Sequence, residues 1–452
     1  MKKTLLLSVV ASTMIMAGGD IAPVEPAVET PAPAVSGWEF SGQAALYYQT
    51  KDNWGRDSLF DQEASTMNAN TSAADAGIQL RAVNADLYNG IGAGAEVSGL
   101  ATFDLEKSVV SDVMQAVSDD LDGGWISQMY LTYGFDNTSF KLGRQELPKA
   151  LSPFAYSEEW NVFKNTYDAA LVVNSDITNT TLVGAWVRSA NQNGYGLTGS
   201  TNYGSSQPMS FHNGVSDMSS FEEINGDHGV FMLTAQNKSI ENLTLTGSWY
   251  YSNEFLTNDD LNILWGDAQY NFMENYNVAL QGGTVMHDTF DDDTTAFGAM
   301  VGGKFGMFNA SLAFSTVNDG GFGVFNVGGV KTPLYTQMLL NENAIRLDSD
   351  SFVAKADADA LGGNICLAYG YSDLGNAAMR STFSTGSWSP SSFAGSGTYQ
   401  ELDLAYTAEI TESATVTAAY IYQNDDRRDY STPVSGPSED QNVIRVIGRY
   451  NF

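Results

Sequence analysis

Fixed charge is the main chemical resource of this 452-residue chain: 53 acidic side chains stand against 21 basic ones, with three histidines and one cysteine. His212, His228 and His287 are far apart, none is spaced with another for a metal, and no nucleophile motif surrounds a serine. Acid–base or covalent catalysis therefore has no centre, and the sequence predicts no enzyme. A net charge of −32 also argues against a nucleic-acid partner, because phosphate needs a basic face. What remains is charge used as charge. Arg81, Lys141, Lys304, Lys355, Arg445 and Arg449 fall on one parity of alternating runs, together with the acids Glu96, Asp168, Asp357 and Asp403. Acidic clusters lie elsewhere, at "SDDLD" (118–122), "HDTFDDD" (287–293) and "NDD" (424–426). Their oxygens make Asp119, Asp120, Asp122, Asp291, Asp292 and Asp293 weak candidates for Ca²⁺, but none has the EF-hand spacing and solvated acidic loops are the plainer reading. No other cofactor is expected. Cys366, inside a strand-like run, gives no disulfide framework.

The elements that carry these residues have a period of two. In "LTLTGSWYY" Leu243, Leu245, Gly247, Trp249 and Tyr251 share one face while Thr244, Thr246, Ser248 and Tyr250 share the other. "FNASLAFS" (308–315), "ELDLAYTAE" (401–409) and "ATVTAAYIY" (414–422) alternate in the same way. Roughly 18 such runs recur, with 16 as the alternative even count. They begin near residues 38, 77, 90, 125, 138, 166, 180, 229, 243, 261, 276, 294, 308, 350, 364, 398, 414 and 442. Short links such as "NG" (89–90), "MEN" (273–275) and "GM" (306–307) alternate with long ones near 51–76, 103–123, 146–165, 190–228, 252–260, 287–293, 316–349, 373–397 and 423–441.

That alternation predicts an all-β, antiparallel transmembrane barrel over 38–452, with tight periplasmic turns and long outer loops. Half of each strand faces water, so a mean hydropathy of −0.18 fits a membrane protein of this kind. Lipid cannot satisfy backbone N–H and C=O groups, so "WEFSGQAALYYQ" (38–49) must pair with "NVIRVIGRYNF" (442–452) to leave no edge. Tyr450 and Phe452 then face lipid, and Arg445 and Arg449 the lumen. The terminal pattern resembles the signal of outer-membrane proteins that the barrel-assembly machinery reads. Ahead of the barrel, residues 1–17 read as a secretory signal peptide and 18–37 as a Pro/Ala-rich segment unable to bury a core.

A barrel of this kind works through the width and charge of its narrowest ring. The third long link, "ELPKALSPFAYSEEW" (146–160), is the candidate ring. Pro148 and Pro153 stiffen it, Phe154, Tyr156 and Trp160 are placed to pack it on the wall, and Glu146, Glu158 and Glu159 to project into the channel. Opposed to the basic lumen residues, those acids would set up a transverse field.

The stretches at 140–187 and 328–339 ("GGVKTPLYTQML") resemble the porins of campylobacter-type bacteria, the family of their major outer-membrane protein. The resemblance implies an 18-stranded barrel, usually trimeric, with the third outer loop folded inward to narrow a water-filled channel. This chain is more acidic than that family leads one to expect. The expected function is passive diffusion of ions and small hydrophilic solutes across the outer membrane, with a weak preference for cations. Its partners would be outer-membrane lipid, lipopolysaccharide, the assembly machinery and two further copies. A substrate-selective channel, marked by a basic ladder and an aromatic track, and a plugged adhesive barrel are the alternatives.

Overall fold

The computed structural model describes residues 37–452 except 53, 56–57, 61–71, 104–114, 118–121, 192–215, 256–258, 274, 289–291, 377–379, 385–386, 391–395 and 428–437. The expected signal peptide and nearly all of the Pro/Ala-rich segment lie outside the described residues. The wall consists of β1 (Glu39–Lys51), β2 (Ser72–Tyr88), β3 (Ile91–Ala101), β4 (Gly123–Phe135), β5 (Thr138–Gln145) and β6 (Tyr167–Asn174). It continues through β7 (Thr180–Asn191), β8 (Val230–Asn237), β9 (Leu243–Ser252), β10 (Leu261–Phe272), β11 (Tyr276–His287) and β12 (Thr294–Phe305). The circuit ends with β13 (Phe308–Val317), β14 (Ser349–Ala360), β15 (Gly363–Leu374), β16 (Gly397–Thr411), β17 (Ala414–Asp425) and β18 (Asp440–Asn451).

Each strand pairs antiparallel with its neighbours, and β1 closes on β18 from Gln43 opposite Asn451 to Lys51 opposite Val443. A short piece, Phe221–Glu223, pairs with the end of β7 just as β8 pairs with its start, so the two share one position. The barrel therefore has 18 strands. Tight turns follow local chemistry: Asn89 and Gly90 take φ of 50° and 81°, the pair of positive values that a two-residue hairpin matched to strand twist requires.

Lipid and water sort the side chains. Leu80, Leu131, Leu233, Leu264, Phe297, Leu312, Leu367 and Leu404 are exposed on the outside, where the surrounding medium must be apolar. Inside, hydroxyls pair across strands, as in Thr234 with Ser248 and Ser351 with Ser372, both at 2.8 Å. Each such pair satisfies two hydroxyls that burial takes from water. The one strand that begins well before its expected start is β2, at Ser72 rather than 77; "SAADA" is small on both faces and hides its alternation.

Candidate functional site: two inward loops joined inside the barrel

The third outer loop (146–166) folds into the lumen. Its first turn is fixed by the Pro148 carbonyl, which accepts from the N–H groups of Leu151 (3.2 Å) and Ser152 (3.1 Å) and from Ser152 Oγ (2.9 Å). That turn delivers Phe154 to the wall, where its ring meets Tyr250 of β9 edge-on at 5.6 Å and Trp265 of β10 at 5.2 Å. The Phe154 N–H donates to Tyr250 Oη (3.2 Å), so the loop backbone is satisfied as it is buried.

Beyond Phe154 the loop meets a second inward segment that the sequence reading treated as an ordinary outer link. The seventh loop (318–348) also enters the barrel and buries Leu334, Met338, Leu339, Ile345 and Leu347. Such side chains in a link between strands must bury somewhere, and they are the signal of this inward fold in the sequence. Wall carboxylates of β16 hold the loop: Leu340 N–H donates to Glu401 Oε1 (2.8 Å) and Leu339 N–H to Asp403 Oδ2 (3.3 Å). Tyr335 hydrogen-bonds Asp267 of β10 on another part of the wall.

Tyr156 and Glu158 join the two loops. Tyr156 N–H donates to Asn326 Oδ1 (2.7 Å) and its hydroxyl to the Thr332 carbonyl (3.2 Å). Glu158 was expected to project into the channel, but it is only 2 % exposed. Its Oε1 accepts from Asn326 Nδ2 and Lys331 N–H, both at 2.8 Å, and its Oε2 from Val330 N–H (3.1 Å) and Trp160 Nε1 (2.7 Å). Four fixed donors there take the place of the water that a channel-facing carboxylate would bind. Gly329 makes room, since a Cβ at that position would lie 2.1 Å from Glu158 Oε1. Burial pushes the Glu158 carboxyl above its ordinary value, against the pull of Asn326, Val330 and Lys331.

The other expected ring residues are engaged as well. Glu146 and Glu159 both pair with Lys164 of the same loop, the first at 3.3 Å. Burial pulls the Lys164 ammonium down, and the two carboxylates more than offset it, leaving it above its usual value. Loop acids thus cancel a loop base, and the simple opposition of acidic loop to basic wall is not what the geometry gives. Trp160 donates to Glu158 and accepts from Tyr47 Oη through its carbonyl (3.1 Å).

On the wall, Arg81 donates to Tyr130 Oη (3.1 Å) and Lys141 lies 4.0 Å from the centre of the same ring. Arg445 donates to Gln49 and Arg449 to Gln43, both at 2.8 Å. Lys355 is buried on β14, whereas Lys304 is exposed near the turn at 306–307 and takes no part in the ring. Asp168, expected inside, alternates with the inward Tyr167 and pairs on the outer face with Arg144 at 2.9 Å. The inward place is taken by Tyr167, whose hydroxyl donates to the Tyr156 carbonyl (2.8 Å). Tyr450 and Phe452 are 50 % and 53 % exposed on the outer surface and stack on one another. Of the Ca²⁺ candidates, Asp119, Asp120 and Asp291 lie outside the described residues, and Asp122 accepts from Thr102 N–H (2.7 Å). Among the described residues Asp292 and Asp293 belong to no group of three potential ligands.

Barrel, apolar belt and inward loops together define an outer-membrane-type channel architecture. No family model and no curated protein matches the chain. Solved structures do. It is similar to OccD3 (OpdP) of Pseudomonas aeruginosa, with a TM-score of 0.66, 11 % identity, and 97 % of this chain and 94 % of that one covered. OccK8 (OprE) of the same organism gives 0.64 at 12 % identity, covering 92 % and 98 %. For its outer membrane protein OpdK the TM-score is 0.62 at 13 % identity, with 92 % and 99 % covered, and OpdK has also been solved with vanillate. At these identities the likeness is one of fold.

Proposed function

We propose that the protein is an outer-membrane porin, a water-filled channel through which ions and small hydrophilic solutes diffuse. The observation that carries this reading is the pair of inward loops joined at Glu158 inside a polar-lined closed barrel, a ring that would narrow the lumen. Purified protein in a planar bilayer should give large, steady, ohmic single-channel steps. Absence of any step would sink the reading and favour the plugged adhesive barrel.

A substrate-selective channel is favoured by one feature. Basic groups sit beside aromatic rings along one sector, Lys141 and Arg81 at Tyr130 and Arg445 at 5.7 Å from the Tyr47 ring. Concentration-dependent block of the current by small carboxylates distinguishes this reading from unselective diffusion. The net charge of −32 supports a weak cation preference at the mouth, and a reversal potential under a salt gradient tests it. Membership of the campylobacter-type porins rests on the stretches at 140–187 and 328–339, and with it the homotrimer.

A further inference from the structure

One strand pair in the barrel is enforced by no turn. Side-chain pairs across the β18–β1 seam join residues 396 to 408 positions apart, so its closure forfeits far more chain entropy than any hairpin. Backbone pairing runs to the end of the seam: Gly42 N–H donates to the Phe452 carbonyl (2.8 Å) and Phe452 N–H to that of Gly42 (3.0 Å).

The third loop crosses this seam on the inside. Tyr47 of β1 stands opposite Ile447 of β18, and Ala45 opposite Arg449. Residues 160–163 lie over those two pairs. Tyr47 Oη donates to the Trp160 carbonyl (3.1 Å). Arg449 Nη2 donates to the Asn161 carbonyl (2.9 Å), and its Nη1 to the Val162 carbonyl (2.9 Å) and to Gln43 Oε1 of β1 (2.8 Å). One guanidinium on the last strand thus binds the loop and the first strand together. Val162 and Phe163 join Ala45, Tyr47 and Ile447 in one buried cluster, with Phe163 set in the space that Gly77 leaves on β2.

We propose that the third loop has a second function, as an internal clamp that holds the first and last strands of the barrel together, with Arg449 and Tyr47 as positioning residues. The stretch at 147–158 narrows the lumen and the stretch at 160–163 locks the wall. Docking of one loop then couples pore width to barrel closure, whatever solute the channel carries.

Hydrogen exchange of the full-length protein in micelles, read by mass spectrometry, tests the clamp through a change confined to the loop. In the double variant Val162→Ala, Phe163→Ala the amides of β1 and β18 should exchange roughly tenfold faster, while those of β10 and β11 hold their wild-type rates. Unchanged seam exchange, or equal acceleration in every strand, overturns the proposal. Should that variant fail to assemble, Tyr47→Phe decides: it deletes one hydroxyl and leaves the strand pairing whole. Roughly threefold faster exchange confined to the seam supports the clamp, and a seam at wild-type rate refutes it.

Discussion

The two inward loops are held by different physics. Third-loop residues 147–155 dock through apolar contact: Leu147, Leu151 and Phe154 belong to the large buried cluster that includes Tyr250 and Trp265. The seventh loop also buries apolar side chains, but its backbone is held by carboxylates, Glu401 and Asp403 from the wall and Glu158 from the third loop. Apolar burial is indifferent to proton concentration, whereas a carboxylate accepting amide protons responds to it. The third loop is therefore the fixed jaw of the inward pair and the seventh the conditional one.

Breaking the apolar side should have the largest effect. Phe154→Ala removes a ring packed against two others and should cost about 3–5 kcal/mol of loop docking. Single-channel conductance should rise, by the same factor at every pH. Glu158→Ala comes next: it strips the acceptor from Val330 N–H, Lys331 N–H, Asn326 Nδ2 and Trp160 Nε1. Orphaned donors of this kind cost about 2–3 kcal/mol, so the current should flicker while the mean conductance moves less than in Phe154→Ala. A flicker as strong in Phe154→Ala would erase the distinction between the jaws.

The same contrast decides what the sequence discloses. Most strand positions were legible, because lipid favours apolar residues on outward positions and the alternation in "LTLTGSWYY" or "FNASLAFS" has no competing cause. Phe154 in a loop was a readable anchor too, since a large ring needs cover. The role of Glu158 was not readable: its partners in the seventh loop lie 168 to 173 residues away and two of them are backbone amides, which carry no side-chain signature. The contact of the inward Arg449 with the loop was hidden for the same reason, as its loop partners are the carbonyls of Asn161 and Val162. Asp168 was misplaced because its strand is apolar on both faces, with Ala169 and Val173 on the inward side and Ala170 and Val172 on the other, so the sequence pattern does not say which side is wet.

The smallest expected effect is the sharpest test of the conditional jaw. Burial raises the Glu158 carboxyl, so the docked loops bind a proton that separated loops release, and docking gains stability as pH falls. The gain is complete below the ordinary carboxylate value of 4.5 and is lost as pH rises through the higher value of the docked state. Several neighbours bear on this titration: Tyr156 and Trp160 in the third loop, Tyr167 on β6, and Lys331 with its partner Glu342 in the seventh. Closing from about pH 8 to about pH 5 should therefore make flicker rarer in the wild type. Glu158→Gln carries no titrating proton and should flatten the response. A pH response of equal size in that variant would assign the conditional behaviour to the seventh loop's contacts with β16 rather than to its contact with the third loop.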